Sequence, residues 1–261
     1  MNKKDQIRAL LKSIETGDPG PVAVVNEAQY IQHNPQTEEG SEGLAALFKR
    51  LSKTGPKVNI VRAFEDGDYV FAHTEYDFST RRIGFEVFRF ANGQAAEHWD
   101  NIQPRLGPNP SGRSMVDGPV EVADVHLTES NRARVQSFVE TVLIGGALDA
   151  LEDYIHPTHF AEHNPRLADG AASLKAALAP TADGARHIAY ERTHRVLAEC
   201  DFVLCVSEGR LVLCVSEGRL GGAHSAFYDL FRLEQNMLVE HWDTTEKVAP
   251  RHEWKNDNGK F

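Results

Sequence analysis

The chain has 261 residues, of which 41% are hydrophobic, so it can bury one large core or two modest ones. Its formal charge of −10, with basic residues scattered among acidic ones, argues against nucleic acid or an anionic membrane as a partner, because phosphate binding needs clustered Lys and Arg. A small neutral or cationic ligand fits this charge better. Two of the three cysteines are copies of one position, which argues against a disulfide framework, and no paired-cysteine metal motif is present.

The first segment, MNKKDQIRALLKSIETGD, predicts an amphipathic helix, because Ile7, Leu10, Leu11 and Ile14 recur at helical spacing. A stripe of this kind is neither the continuous apolar run of a signal peptide nor that of a membrane span. We therefore expect a cytoplasmic protein.

Helical patterns cover about residues 3–50, and long runs with strand-like composition follow them. The predicted strands lie near residues 57–65, 68–77, 83–91 and 94–103, with turn signals at Gly67 and at Asn92–Gly93. Helices followed by strands favour an α+β domain over a parallel βαβ sheet.

The second half of the chain repeats the first. QYIQHNPQTEEGSEGLAALF is echoed by HFAEHNPRLADGAASLKAAL, and both halves reach the same tetrapeptide, Glu97–Asp100 and Glu240–Asp243. A Pro-, Gly- and Ser-rich linker, RLGPNPSGRSMVDGP, lies between them. We therefore predict two domains of the same fold class, residues 1–118 and 119–261.

The second half opens with SNRARVQSFVETVL, which predicts a further helix. Its buried stripe is expected to be Val135, Phe138, Val139 and Val142. Ser130 or Asn131 is the expected N-cap.

A tandem duplication at 203–220 distinguishes the second half, since VLCVSEGRL occurs as Val203–Leu211 and again as Val212–Leu220. The second half is longer by ten positions over the matching stretch, and the duplication supplies nine of them. An odd insertion inside a paired strand would turn every later side chain to the opposite face. We therefore expect a longer hairpin, a bulge or an extruded loop, with turns at Gly209 and Gly218.

Two interpretations of the duplication stay open. A tolerated insertion at a surface hairpin is the simpler one, because loop insertions cost little. The alternative is that the duplication rebuilds the rim of a pocket.

Strand alternation groups the candidate functional side chains. His98 and Asp100 share one face of a strand, and His73 and Glu75 share one face of another. If both faces look into the hollow of a curved sheet, imidazoles and carboxylates meet in an apolar cavity, where burial raises carboxylate pKa values and suits acid–base chemistry. The alternative is structural: a solvated edge strand, and a helix stop at the His-Asn-Pro motif.

The motifs YIQHNP, DGDYVFAHTEY, FEVFRFANGQAAEHWDNIQ, EHNP and LVEHWD resemble the SnoaL-like polyketide cyclase group of the nuclear transport factor two-like superfamily. The resemblance covers nearly all of each half. It implies two tandem α+β cones, each a curved antiparallel sheet closed by helices. It also implies an internal pseudo-dimer, and a further homodimer stays open.

The resemblance implies cofactor-free proton transfer on a small apolar carbonyl, lactone or ester compound, by a cyclase, isomerase or hydrolase. The implied catalytic residues are Asp100, His98, His73, His33, Asp243 and His241. The implied substrate-binding residues are Asn34, Tyr30, Glu75, His163, Asn164, Trp99 and Trp242. A non-catalytic ligand-binding or dimerisation module is the alternative.

The second half departs from the pattern at two positions. Val206, or Val215 if the second copy takes the strand position, stands where the first half has His73, and Cys200 replaces Gly67. The first half therefore retains more of the family pattern.

Overall fold

The computed structural model describes residues 1–120, 128–199 and 210–261. The chain divides into two compact units. Unit 1 comprises Met1–Arg105 and Val248–Phe261, and unit 2 comprises Leu106–Lys247. The boundaries of these units differ from the boundary near residue 118 that the sequence repeat predicts. The boundary near residue 118 therefore stays a prediction.

Unit 1 contains two α-helices, two short 3₁₀-helices (Gly20–Val24 and Arg251–Glu253) and a five-stranded sheet. Its elements are α1 (Lys3–Thr16), β1 (Ile31–Gln32), α2 (Gly40–Ser52), β2 (Lys57–Asp66), β3 (Tyr69–Asp77), β4 (Arg81–Ala91) and β5 (Gln94–Pro104). The strand order is β1-β5-β4-β3-β2, with β1 parallel to β5 and the other pairs antiparallel. All four strands predicted in this half are confirmed. The sequence did not predict the short edge strand β1, which pairs in parallel with β5.

Helix α1 forms where the apolar stripe predicted it. Asn2 caps it by accepting a hydrogen bond from the Asp5 backbone N–H, and Gly17 ends it in the left-handed conformation. The four stripe residues are all buried and belong to the core between the helices and the sheet.

Unit 2 repeats this plan. Its elements are α3 (Thr128–Phe138), which continues as a π-helix (Val139–Ile144), α4 (Leu151–Tyr154), β6 (Ala161–Glu162), α5 (Ala171–Leu178), β7 (Ile188–Ala198), β8 (Arg210–Leu220), β9 (Ala223–Glu234) and β10 (Met237–Lys247). The order β6-β10-β9-β8-β7 matches that of unit 1, again with one parallel pair, β6 with β10. The predicted fold class, two tandem α+β domains, is therefore confirmed, while the internal pseudo-dimer stays a prediction.

The first helix of unit 2 buries its predicted stripe, because Val135, Phe138, Val139 and Val142 are at most 1% exposed. The N-cap prediction was wrong. Ser130 and Asn131 lie inside α3, which already includes Thr128.

The second copy of the duplication forms strand β8, paired with β7 and β9. The first copy falls almost entirely outside the described residues. The connection from β7 to β8, residues 199–209, is nine residues longer than residues 67–68 between β2 and β3. The insertion therefore extends a hairpin connection and leaves the strand register intact, because Cys214 pairs with Asp229 as Ala72 pairs with Glu86.

Two details of the predicted hairpin change. Gly218 lies within β8, opposite Tyr190, and Gly221–Gly222 form the turn into β9. The predicted turn at Gly209 lies outside the described residues. None of the helices in the described parts of the chain has the length and apolar character needed to span a bilayer.

Removing one copy tests whether the insertion is neutral for folding, and either copy gives the same product because the copies are identical. The shorter connection gains about 1.5 kcal/mol in loop closure. Cys200 then takes the position of Gly67, whose φ is 55°, at a cost of about 1 kcal/mol. We expect the free energy of unfolding, measured with urea, to change by less than about 1 kcal/mol.

A Cys200→Gly substitution in the shortened chain should then add about 1 kcal/mol of stability. Loss of cooperative unfolding in the shortened chain would show that the duplication belongs to the core and is not a tolerated insertion.

Candidate functional site

Each unit builds a buried polar chain on one face of its sheet. In unit 1 the Tyr76 hydroxyl donates to Glu86 Oε1 at 2.8 Å, and Glu86 Oε2 lies 2.8 Å from His98 Nε2. His98 Nδ1 lies 3.1 Å from Gln32 Oε1 of β1. The parallel pairing of β1 with β5 aligns Gln32 with His98, which explains this last contact. All four side chains are buried.

Asp100 lies two residues beyond His98 on the same face of β5, and it is held on both carboxylate oxygens. Asn34 Nδ2 donates to Oδ2 at 2.7 Å, and the Lys260 ammonium lies 3.3 Å from Oδ1. Lys260 and Asp100 are only 2% and 5% exposed. Burial alone would raise the pKa of Asp100, but Lys260, His98 and Asn34 outweigh it and lower the pKa below its ordinary value. Asp100 is therefore a buried carboxylate in an ion pair.

The buried polar chain of unit 2 follows the same order, from tyrosine to acid to histidine to the edge strand, but with different side chains. The Tyr190 hydroxyl donates to Asp229 Oδ1 at 2.9 Å, and the same oxygen lies 3.1 Å from His241 Nε2. His241 Nδ1 lies 3.0 Å from both carboxylate oxygens of Glu162. Burial lowers the pKa of His241, but Glu162 and Asp229 outweigh it and raise the pKa well above its ordinary value. His241 is therefore an imidazolium held between two carboxylates.

Asp243 is the counterpart of Asp100, with Asn164 Nδ2 donating to its Oδ2 at 2.7 Å. Its side chain is half-buried, in contrast to Asp100. Burial raises the pKa of Asp243 to about 7, the charges of Glu162 and Asp229 add to the rise, and His241 and Asn164 oppose it. A carboxyl group that titrates near neutral pH can both accept and release a proton.

The segments packed beside the two sites explain the difference. The Gly259 carbonyl lies 3.1 Å from His33 Nδ1, and the Ser114 carbonyl lies 2.7 Å from His163 Nδ1, so these two segments make the same contact in their units. Lys260 follows Gly259, whereas the uncharged Met115 follows Ser114. After the carbonyl that contacts its histidine, unit 2 thus has methionine in the chain where unit 1 has the lysine.

The tyrosine reaches the carboxylate from different strands in the two units. Tyr76 lies on β3 opposite Val58, and Tyr190 lies on β7 opposite Gly218. A Cβ atom at Gly218 would lie 2.0 Å from the Ala189 carbonyl oxygen, so no larger residue fits there. Gly218 of the duplicated segment therefore allows the backbone of β8 to lie close to the backbone of β7 at Ala189 and Tyr190.

The structure brings together six of the residues named from the sequence: Asp100, His98 and Asn34 in unit 1, and Asp243, His241 and Asn164 in unit 2. Tyr30 also belongs to the unit 1 site, because the charges of Glu86 and Asp100 act on its buried hydroxyl and, after burial itself, raise its pKa above the ordinary value.

The structure separates the tryptophans and the two histidines of the repeated His-Asn-Pro motif from the sites. His33 stacks on Trp99 at 4.6 Å and lies 2.8 Å from Glu97, and His163 stacks on Trp242 at 4.8 Å in the same way. Alternation along β5 and β10 places these tryptophans on the opposite face from the aspartates.

His73 and Glu75 also lie on the opposite face. The strand register pairs His73 with Phe85, one position away from Glu86, so a shared cavity with His98 and Asp100 does not form. His73 Nδ1 lies 2.9 Å from Arg62 Nη1, and Glu75 forms an ion pair with Arg105 at 2.8 Å. The register of β8 and β9 places Val215 at the position of His73, so this departure does not alter the unit 2 site.

Sequence reasoning missed Gln32, Glu86, Tyr76, Glu162, Asp229, Tyr190 and Lys260. A signal was present for two of them, since Glu86 in FEVFRF and Asp229 in YDLFRL are single acids at matching positions of apolar strands. No local pattern distinguishes Lys260.

One cluster among the described residues has the spacing of a metal site. Ligand atoms of Glu86, His98 and Asp100 lie within 4.8 Å of one another. The Lys260 ammonium already occupies the Asp100 side of this cluster, at 3.3 Å.

A cleft of about 610 Å³ opens elsewhere on unit 2. His156, His159, Arg113 and Arg232 are part of its lining, which does not include Asp243. The ring centroids of His156 and His159 lie 3.6 Å apart.

No protein-family model and no curated protein matches the chain. Among solved structures it is similar to TsrD from Streptomyces laurentii (20% identity, TM-score 0.35, 40% of this chain and 91% of that chain). It is also similar to an NTF2-like protein of unknown function from Cytophaga hutchinsonii (17%, 0.35, 40% and 92%) and to a LEH-like epoxide hydrolase from M. tuberculosis (19%, 0.34, 38% and 81%). NTF2-like structures thus resemble this chain over about 40% of its length, and they carry no information on its reaction.

Replacing Lys260 with Met gives unit 1 the residue that unit 2 has at this position. The change leaves a buried carboxylate without its ammonium partner, so we expect the free energy of unfolding at pH 7 to fall by about 3–5 kcal/mol. The double variant D100N/K260M removes both charges and should recover most of this loss. Denaturant titration of the parent chain and both variants measures these values.

The loss in free energy of unfolding caused by Lys260→Met should become smaller as the pH falls. A lowered folded pKa stabilises the parent chain above the unfolded carboxyl pKa of about 4, and this contribution disappears as Asp100 is protonated. An equal deficit at pH 3 and pH 7 would show that Lys260 acts through packing and not through its charge.

Proposed function

We propose that unit 2 is a cofactor-free acid–base catalyst in which Asp243 carries the proton. The substrate class is a small, largely apolar carbonyl, lactone or ester compound. Asp243 accepts a proton from the substrate, or from a water that attacks it, and later returns the proton to the product. The observation that supports this role is the half-buried carboxyl group with a pKa of about 7, held by Asn164 at 2.7 Å.

The groups beside Asp243 orient it and set its pKa, and they do not transfer protons themselves. His241 makes contacts with carboxylates through both ring nitrogens, so it has no nitrogen left for a proton shuttle. Its positive charge instead limits the pKa of Asp243, which Glu162 and Asp229 raise. Asn164 fixes the Oδ2 atom of Asp243 by a hydrogen bond of 2.7 Å.

The surroundings favour an apolar substrate. Phe227 and Phe231 of β9 pair with Thr245 and His241, on the same face of the sheet as Asp243. Both phenylalanines belong to the hydrophobic core of unit 2. The buried phenylalanines make the surroundings of Asp243 on this face apolar, which suits a largely apolar compound whose carbonyl end meets Asp243 and Asn164.

Unit 1 does not support the same chemistry. Its Asp100 is buried and its pKa is lowered by Lys260, so at neutral pH the carboxylate is a poor proton acceptor. The half that retains more of the family's residues is thus the one whose acid–base group is closed off.

Turnover of a panel of lactones, esters, ketones and epoxides tests the proposal. We expect kcat/KM to rise with pH and to level off above a pKa of about 7, because the carboxylate form of Asp243 is the active base. Asp243→Asn should lower kcat by at least about 100-fold. The matched control is D100N/K260M, which removes the corresponding carboxylate and its charge partner from unit 1 and should retain turnover.

Loss of activity in Asp243→Asn must not come from unfolding. A carboxyl group whose folded pKa is raised costs stability as the pH rises through that pKa, so the neutral Asn should leave the fold at least as stable at pH 8. Turnover that survives Asp243→Asn, or that disappears only in D100N/K260M, would contradict the proposal.

A further inference from the structure

The Lys260 side chain occupies the polar site of unit 1 as a ligand would. The segment that carries it is held by several hydrogen bonds: Asn256 Nδ2 donates to the carbonyls of Asn34 and Thr37, and Asn258 Nδ2 donates to that of Gln32. At the end of this segment the ammonium group reaches Asp100 with only 2% of Lys260 exposed.

The surrounding groups are those that a cation needs. The ligand atoms of Glu86, His98 and Asp100 lie within 4.8 Å of one another, so two carboxyl groups face one small volume. Tyr30 is 6% exposed, and the charges of Glu86 and Asp100 act on its hydroxyl group. This buried hydroxyl has no hydrogen-bond partner among the described residues. A buried hydroxyl of this kind can accept a hydrogen bond from a positively charged N–H group.

We propose that the unit 1 site is a binding site for primary alkylammonium compounds, with Lys260 as its internal occupant. A compound with a terminal ammonium group and a short alkyl chain would place its nitrogen on Asp100 when the lysine side chain is absent. This proposal concerns unit 1 alone and does not rest on the acid–base chemistry proposed for unit 2.

An ammonium group suits the site better than a metal ion does. Glu86 already accepts from Tyr76 and contacts His98, and His98 is engaged through both ring nitrogens. Metal coordination by all three residues would break these contacts, because each would have to turn a nitrogen or oxygen to the ion. An ammonium group would only take the place of the Lys260 ammonium on Asp100 Oδ1, while Asn34 holds the other oxygen.

The test is chemical rescue of Lys260→Ala. Alanine keeps the lysine Cβ, so n-propylammonium supplies the missing carbons and the nitrogen. We expect n-propylammonium chloride to raise the Tm of Lys260→Ala in a saturable manner, because a ligand that binds only the folded chain stabilises it. The same titration should leave the Tm of the parent chain and of D100N/K260A unchanged.

Two further probes identify the chemistry. Uncharged 1-propanol and sodium chloride at equal concentrations should give no saturable rise in Lys260→Ala. A rise with Zn²⁺ or Mg²⁺ that exceeds the rise with n-propylammonium would identify a metal site and overturn the proposal. So would an equal rise in Lys260→Ala and D100N/K260A, or no rise in either.

If Lys260→Ala does not fold alone, its refolding from urea with and without n-propylammonium gives the same decision. Recovery of the far-ultraviolet circular dichroism signal only with the amine supports the proposal. Failure to recover it with the amine, while D100N/K260A folds without it, would overturn the proposal.

Discussion

In each unit the burial of one aspartate, Asp100 on β5 or Asp243 on β10, governs the polar site. A carboxylate removed from water needs either a positive partner or a proton. Unit 1 supplies the partner, since the Lys260 ammonium lies 3.3 Å from Asp100. Unit 2 has no lysine at this position, and the pKa of Asp243 rises to about 7. Together with burial, the charges around the aspartate thus decide whether the same strand residue is an ion-pair member or a group that exchanges protons: Lys260 in unit 1, and Glu162 and Asp229 in unit 2.

The polar chains around the two aspartates reinforce this difference. Unit 1 places the neutral amide of Gln32 beside His98, whereas unit 2 places the carboxyl group of Glu162 beside His241. The additional negative charge raises the pKa of His241 and of Asp243 together. The backbone frame is shared, because each central histidine aligns with a short parallel edge strand. The two units therefore differ in chemistry through a few side chains on a common architecture.

Much of the fold followed from the sequence, because periodicity and the internal repeat depend on local patterns. The four strands of unit 1, the stripe of α1 and the stripe around Val135 and Phe138 lie where the patterns placed them. The internal repeat also named the aspartates and the Asn-Pro asparagines, which are hydrogen-bonded to each other in both units. The repeat also made plain that the duplication was an insertion, and β8 shows that its second copy keeps the register.

The features that the sequence did not predict depend on how strands pair and on segments far apart in the chain. Strand alternation assigns residues to faces within one strand, but only the register of β3 with β4 shows that His73 and Glu86 lie on different faces of the sheet. Lys260 reaches Asp100 across 160 positions, and no local pattern reports such a contact. The exchange of the tyrosine between strands, with Gly218 opposite Tyr190, also requires the paired sheet.

The most direct test of this account is a nuclear magnetic resonance titration of the aspartate side-chain carboxyl carbons, assigned with Asp243→Asn and Asp100→Asn. The account predicts that Asp243 titrates at about pH 7 and that Asp100 titrates below the ordinary aspartate range in the parent chain. In Lys260→Met the pKa of Asp100 should rise, while that of Asp243 stays unchanged. Titration of Asp243 near its ordinary value of about 4, or an Asp100 pKa that Lys260→Met does not move, would contradict it.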